Sequence, residues 1–168
     1  MRKVISWLER LITGVGRFAS LLILPVIGLL LYEIIARAAF NEASSWAHEV
    51  STWLITGLIF LGGPYALLRG QFVRVDILFN RLPARAKAII DTSVSTVLFG
   101  AFVYTLIWLG GNQAVRSIAI GETSSSGTWA GPVWAAKLLI PVGAFLLALA
   151  WIVHLYTIWR GETRGDGV

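Results

Sequence analysis

An all-α integral membrane protein with four transmembrane helices is the fold class this sequence predicts, and three observations predict it. Residues 18–32, 50–68, 92–115 and 138–153 contain no Asp, Glu, Lys or Arg. Hydrophobic residues make up 57% of the chain and the mean hydropathy is +0.75, above the range of soluble domains. The basic residues stand mostly at the ends of the uncharged runs, where membrane proteins keep them. The second and third runs, 19 and 24 residues long, cross a hydrocarbon core of about 30 Å as helix. The first and last reach spanning length once residues 34–36 and 154–159 are added. The expected spans cover about residues 18–38, 47–69, 88–111 and 135–158 of a single membrane domain, 1–168.

The elements follow in order. Residues 1–17 mix Trp7, Leu8, Leu11 and Ile12 with Arg and Lys, a basic interfacial segment leading into span one. Ala36-Arg37-Ala38 has the A-x-A form of a signal-peptide cleavage site, but the preceding apolar run is long for an h-region, so an uncleaved anchor is preferred. Residues 41–45 form an outer turn. Span two carries Gly62-Gly63-Pro64, where proline removes a helical hydrogen bond and is expected to kink the helix.

Residues 71–82 follow. Phe72, Val75, Leu78, Phe79 and Leu82 share one helical face opposite Arg74 and Arg81, which predicts a short interfacial amphipathic helix between helices two and three. Pro83 suits the first turn of span three. The connection 116–134 is turn-rich, with Gly121, Gly127 and Gly131-Pro132. Span four contains Pro141 and is expected to bend.

Charge sets the expected orientation. Eleven of the fourteen basic residues lie in the N-terminal arm, the second connection and the C-terminal tail; only Arg37, Arg116 and Lys137 lie on the other side. The positive-inside rule then places both termini in the cytoplasm. The same distribution argues against a nucleic-acid partner, since the cations form no single patch.

The chemistry-bearing residues are few. The chain has no Cys, which excludes disulfides and thiol catalysis. His48-Glu49 begins an H-E-x-x-H pattern, but position 52 is Thr. Glu49 falls in the expected first turn of span two, where a carboxylate favours the helix dipole. His48 and His154, the two histidines, fall near opposite membrane faces and cannot share one haem. No phosphate loop, nucleophile elbow or convergent carboxylates are present, so no enzyme, cofactor or metal site is expected.

Glu33 and Arg37 are four residues apart with the acid first, the favourable order for a helical ion pair, and are read as a structural clamp. Gly62 and Ala66 on span two, and Thr92, Thr96 and Gly100 on span three, have the small-residue spacing that permits close helix contact, and are the candidate subunit interface.

Several segments together resemble the small integral-membrane subunit, the Q or DctQ-like subunit, of tripartite ATP-independent periplasmic (TRAP) transporters. Arg37-Ala38-Ala39-Phe40-Asn41 followed by Trp46-Ala47-His48-Glu49 is similar to the family's R-x-x-F-N … W-x-x-E junction. Gly62 to Gly70 runs into Val73-Arg74-Val75-Asp76, similar to the family's V-R-V-D, with Phe72 where the family usually has His. Ile120-Gly121-Glu122-Thr123-Ser124 and Lys137-Leu138-Leu139-Ile140-Pro141 resemble I-G-E-x-S … K-x-x-I-P. The likeness covers about residues 20–155.

The resemblance implies a multi-pass protein of the bacterial or archaeal inner membrane with two partners. One is a large elevator-type membrane subunit, which holds substrate and sodium and which this chain scaffolds. The other is a periplasmic substrate-binding protein that delivers organic anions. Glu42 and Glu122 are outer-loop candidates for docking that protein, although solvated loop residues are the simpler reading. The alternative is a self-sufficient four-helix transporter or exporter using Glu33.

Overall fold

The computed structural model describes residues 2–40, 44–71, 84–124 and 129–159. They form five helices: α1 (Arg2–Leu21), α2 (Ile23–Phe40), α3 (Ser45–Leu68), α4 (Ala84–Ala119) and α5 (Val133–Trp159). Four helical stretches are long and apolar enough to cross a membrane, the first of them formed by α1 and α2 together. The expected interfacial helix at 71–82 and Pro83 lie outside the described residues, apart from Gln71.

The basic N-terminal segment is a full helix. In α1, Ile12, Gly16 and Ala19 are buried on one face, while Lys3, Arg10, Arg17 and Ser20 are exposed on the other. A turn at Leu22 separates it from α2. In α2, Leu24, Ile27, Leu31, Ile34 and Ile35 are all exposed. An apolar helix exposed around most of its girth suits hydrocarbon and not water.

Helix α3 runs unbroken through Pro64. It starts at Ser45, earlier than the expected residue 47, so Glu49 stands beyond the first turn and not within it. Helix α4 has 36 residues, about 54 Å at 1.5 Å per residue, so it outruns the bilayer core. Within it, Ser95–Ala119 is long and apolar enough to cross a membrane.

Helix α5 is the centre of the bundle. It packs against α3 on one side and α4 on the other; α3 also carries α1 and α2. The best-packed core lies where α1, α3 and α5 converge, at Ile12, Leu67 and Ala150. Phe99 of α4 stacks on Trp151 of α5 with centroids 4.3 Å apart.

Two helices end in the same way. After α3, Gly70 has φ +69° and the Gln71 amide donates to the Ala66 carbonyl. After α4, Gly121 has φ +60° and the Glu122 amide donates to the Ser117 carbonyl at 2.9 Å. Both are left-handed glycine caps that satisfy the last carbonyls and turn the chain sharply.

Candidate functional site

The polar residues of the bundle gather at the end where α2 and α4 finish and α3 and α5 begin. The Gly121 cap builds the first part. By reversing the chain directly after α4, it sets Glu122 over Ser117 and opposite the first turns of α5. Lys137 donates a hydrogen bond to Glu122 Oε2 and forms an ion pair with it. The Lys137 hydrogen bond, and after it the Ser117 hydroxyl, hold the Glu122 carboxyl below its ordinary range. Glu122 is therefore not a free loop acid; it ties the 120–132 connection to α5.

The same connection reaches α3. Thr123 pairs with Pro132 in an antiparallel bridge, and the Ser124 amide donates to the Gly131 carbonyl at 2.9 Å. This fold-back brings the Ser124 hydroxyl to Glu49, to which it donates. Trp129 lies over Gly131, where a β-carbon would stand 2.5 Å from its ring. The other partner of Trp129 is Trp53 of α3, with centroids 5.4 Å apart. The connection is thus fastened to α3 by Ser124 and Trp129 and to α5 by Glu122.

On α2, Arg37 Nη2 donates to Glu33 Oε1 at 2.7 Å. The two ends of the pair differ in setting: the Arg37 side chain is 61% exposed and the Glu33 side chain 12%. Tyr32, one residue earlier, meets Trp46 at the start of α3 with centroids 5.7 Å apart. The second carboxylate oxygens of Glu33 and Glu49 are buried without a hydrogen-bond partner among the described residues.

Of the motif residues, Glu49, Gly121, Glu122 and Lys137 therefore share one polar network with Ser124. Arg37 and Trp46 stand at the same end, on α2 and α3. Pro141 lies further along α5, with its Cδ 3.5 Å from the β-carbon position of Gly110 on α4. Asn41, Arg74 and Asp76 lie outside the described residues. Ser124 stands in the I-G-E-x-S motif but its contact with Glu49 was not foreseen, and Ser117, Trp53 and Trp129 were not singled out from the sequence. Trp129 followed closely by Gly131-Pro132 was the available signal for the Trp129 contact.

The small residues divide into two sets. Within the chain, close approach occurs at Gly16, Gly110 and Gly143, where an added β-carbon would meet Tyr65, Ile140 and Phe60 respectively. Gly62 and Gly100 meet nothing within 4 Å among the described residues. Ala66 is half-buried, and the Thr96 hydroxyl is buried without a partner among the described residues. Thr92 lies on α4, four residues before Thr96.

Comparison with known proteins agrees with this architecture. Residues 26–161 match the family described as tripartite ATP-independent periplasmic transporters, DctQ component. A Haemophilus influenzae protein carrying the description TRAP transporter small permease protein is 35% identical over 151 residues, covering 84% of this chain and 88% of that one. The sialic acid TRAP transporter small permease protein SiaQ of Vibrio cholerae is 27% identical over 138 residues, 79% of this chain and 76% of that one. The isethionate TRAP transporter permease protein DctMQ of Oleidesulfovibrio alaskensis is 27% identical over 138 residues, 82% of this chain but only 20% of that longer one. The family match spans α2 to α5 and takes in the whole polar network: the chain belongs to the DctQ family, as the small membrane component of a TRAP transporter, a multi-pass membrane protein and not an enzyme.

Proposed function

We propose that this chain scaffolds the large elevator-type subunit of a sodium-driven TRAP transporter, and that a periplasmic binding protein supplies the pair with an organic anion. Both termini are cytoplasmic, a reading that the eleven basic residues on one side support, and the membrane is a bacterial or archaeal inner membrane. Sodium and substrate bind to the large subunit. This chain holds no cofactor.

The observation that carries the reading is the unfilled small-residue surface. Gly62 and Gly100 leave the α3 and α4 backbones open, while the internal contacts of the chain use other glycines. In lipid, helices associate by close packing, so such surfaces suit a second membrane protein. The longer relative named DctMQ, of which this chain matches a fifth, supports a large membrane partner. The isethionate and sialic acid in the relatives' names are both organic acids that ionise at neutral pH, which supports an anionic substrate. Glu33 is a poor coupling residue because Arg37 already engages it.

Reconstitution tests the proposal. Proteoliposomes with this chain alone should take up no solute under a sodium gradient. Uptake should need the large subunit and the binding protein together. Gradient-driven uptake by this chain alone would restore the self-sufficient reading based on Glu33.

A further inference from the structure

Helix α1 and the C-terminal end of α3 enclose a second polar feature, away from the network described above. Residues 10, 13, 14 and 17 recur at the spacing of one helical face. Arg10, Thr13, Gly14 and Arg17 line one wall of a cleft of about 410 Å³, and Arg69 stands on the other. A cleft of this size accepts a small molecule or a headgroup.

Its walls are held by a specific contact. A β-carbon at Gly16 would stand 2.3 Å from Tyr65 Cβ, so the glycine lets α1 close directly on Tyr65. The face of the Tyr65 ring carries the Arg69 guanidinium, 5.2 Å from its centroid. Tyr65 therefore both docks α1 and orients Arg69. Gly14, less than a turn from Gly16, meets nothing within 4 Å among the described residues and leaves the cleft open.

The charge in this cleft is unbalanced. Among the described residues its lining holds three arginines, Arg10, Arg17 and Arg69, and one acid, Glu9. The ion pairs among the described residues, Glu33–Arg37 and Glu122–Lys137, engage none of the three. Like charges lining one cleft repel, and an anion between them relieves the repulsion. Guanidinium forks match phosphate oxygens two at a time, which a carboxylate-poor cleft with three of them can exploit.

We propose that this cleft binds a phosphate-bearing anion, the phosphodiester of an anionic phospholipid. The surroundings favour lipid as the source: Val4, Trp7, Phe18 and Leu21 of the same helix are large, apolar and exposed. Apolar side chains interleaved with arginine on one helix suit the headgroup boundary of a bilayer. The cleft would fix the angle between α1 and the bundle, and with it the depth of the chain in the membrane. This inference does not depend on the transport reading.

The test is native mass spectrometry of the full detergent-purified chain, together with its large subunit where the two co-purify. Phosphatidylglycerol, phosphatidylcholine and inorganic phosphate are titrated separately. Phosphatidylglycerol should be retained over phosphatidylcholine. The double variant Arg10→Gln/Arg17→Gln should weaken it by roughly tenfold or more, as expected for lost charged hydrogen bonds. Gly14→Leu, which fills the cleft with no change of charge at an open position, should also weaken it. Arg116→Gln at the opposite end should not. Displacement of phosphatidylglycerol by millimolar inorganic phosphate, with phosphate binding lost in the same variants, would keep the site and make free phosphate its ligand. Unchanged phosphatidylglycerol retention in folded Gly14→Leu overturns the proposal, whether or not the double variant folds.

Discussion

A β-carbon at Gly143 of α5 would stand 2.6 Å from the carbonyl oxygen of Phe60 on α3. Phe60 is four residues before Pro64, which has no N–H to return to that carbonyl. The proline thus frees one acceptor in the middle of α3, and the glycine brings the α5 backbone against it. In lipid a freed carbonyl has no water to turn to, so close cover by a neighbouring helix is how such a proline is tolerated. This relationship also accounts for α3 continuing through Pro64.

The glycine should therefore be intolerant of any side chain. Gly143→Ala forces the two backbones apart and should cost about 1–3 kcal/mol, the range for overpacking. Gly111→Ala in α4 is the matched control: nothing lies within 4 Å of its β-carbon position. That change should be neutral or stabilise by about 0.5–1 kcal/mol, since alanine favours the helix. Thermal unfolding in detergent reads both, and equal behaviour of the two variants would contradict the close-contact argument.

Acid should release the 120–132 connection late. The Glu122 carboxyl lies below its ordinary range, chiefly through its Lys137 hydrogen bond. A depressed folded-state value means the contribution is complete above the unfolded value of about 4.3 and is lost as pH falls through the folded one. The tie should therefore hold at pH 5 and loosen only on acidification below the ordinary glutamate range. Trp129 reports on this connection, so tryptophan fluorescence should change in that window, and Glu122→Gln should abolish the step. A step at or above the ordinary value would show that the Lys137 contact does not govern it.

The clamp on α2 should be asymmetric. Arg37→Gln leaves the mostly covered Glu33 carboxylate without its cation, whereas Glu33→Gln leaves an arginine that already reaches solvent or headgroups. Loss of Arg37 should lower the level of folded protein more, by about 1 kcal/mol or somewhat above in stability. Neutralising both should recover part of the loss. Transport abolished by Glu33→Gln with normal assembly would instead mark Glu33 as a coupling group.

The parts of this molecule legible in the sequence are those governed by local physics. Uncharged runs located four spanning helices because hydrocarbon tolerates little else. The i,i+4 spacing located Glu33 and Arg37 because a helix fixes that neighbourhood. The turn at Leu22 does have a signal, Pro25, which falls in the first turn of α2 and cannot return a hydrogen bond to the Leu21 carbonyl, but it is hidden inside one uncharged run into which the amphipathic arm passes smoothly. Glu122 reads as an ordinary loop acid in one dimension; only the Gly121 cap turns it toward Lys137, fifteen residues on. Glu49 reads as a helix-dipole residue, while its hydroxyl partner Ser124 is 75 positions away. Among many glycines, only packing separates Gly143, which is filled, from Gly62, which is open.

Orientation can be checked without the partner. Reporter fusions after Gly70 and after Val168 should behave as cytoplasmic, and fusions at Asn41 and Ser125 as periplasmic. The expectation rests on eleven of fourteen basic residues lying on one side. A periplasmic signal at Gly70 would overturn it.

The partition of small residues gives the last prediction. Gly62 and Gly100 have room for a side chain within this chain, so Gly62→Leu and Gly100→Leu should leave its own thermal stability unchanged or raised. If those surfaces receive the large subunit, the same changes should weaken co-purification, because a bulky side chain holds apart two helices that associate only through close packing. A loss of about 1–3 kcal/mol at such a contact corresponds to roughly fivefold to 150-fold weaker association. Gly143→Ala should show the opposite pattern, with the isolated chain destabilised first. The pair of measurements, unfolding of the chain and retention of the large subunit, therefore separates an interface from a core. Leucine at both open positions with full retention of the large subunit would move the interface elsewhere, to the exposed apolar faces of α2 and α4.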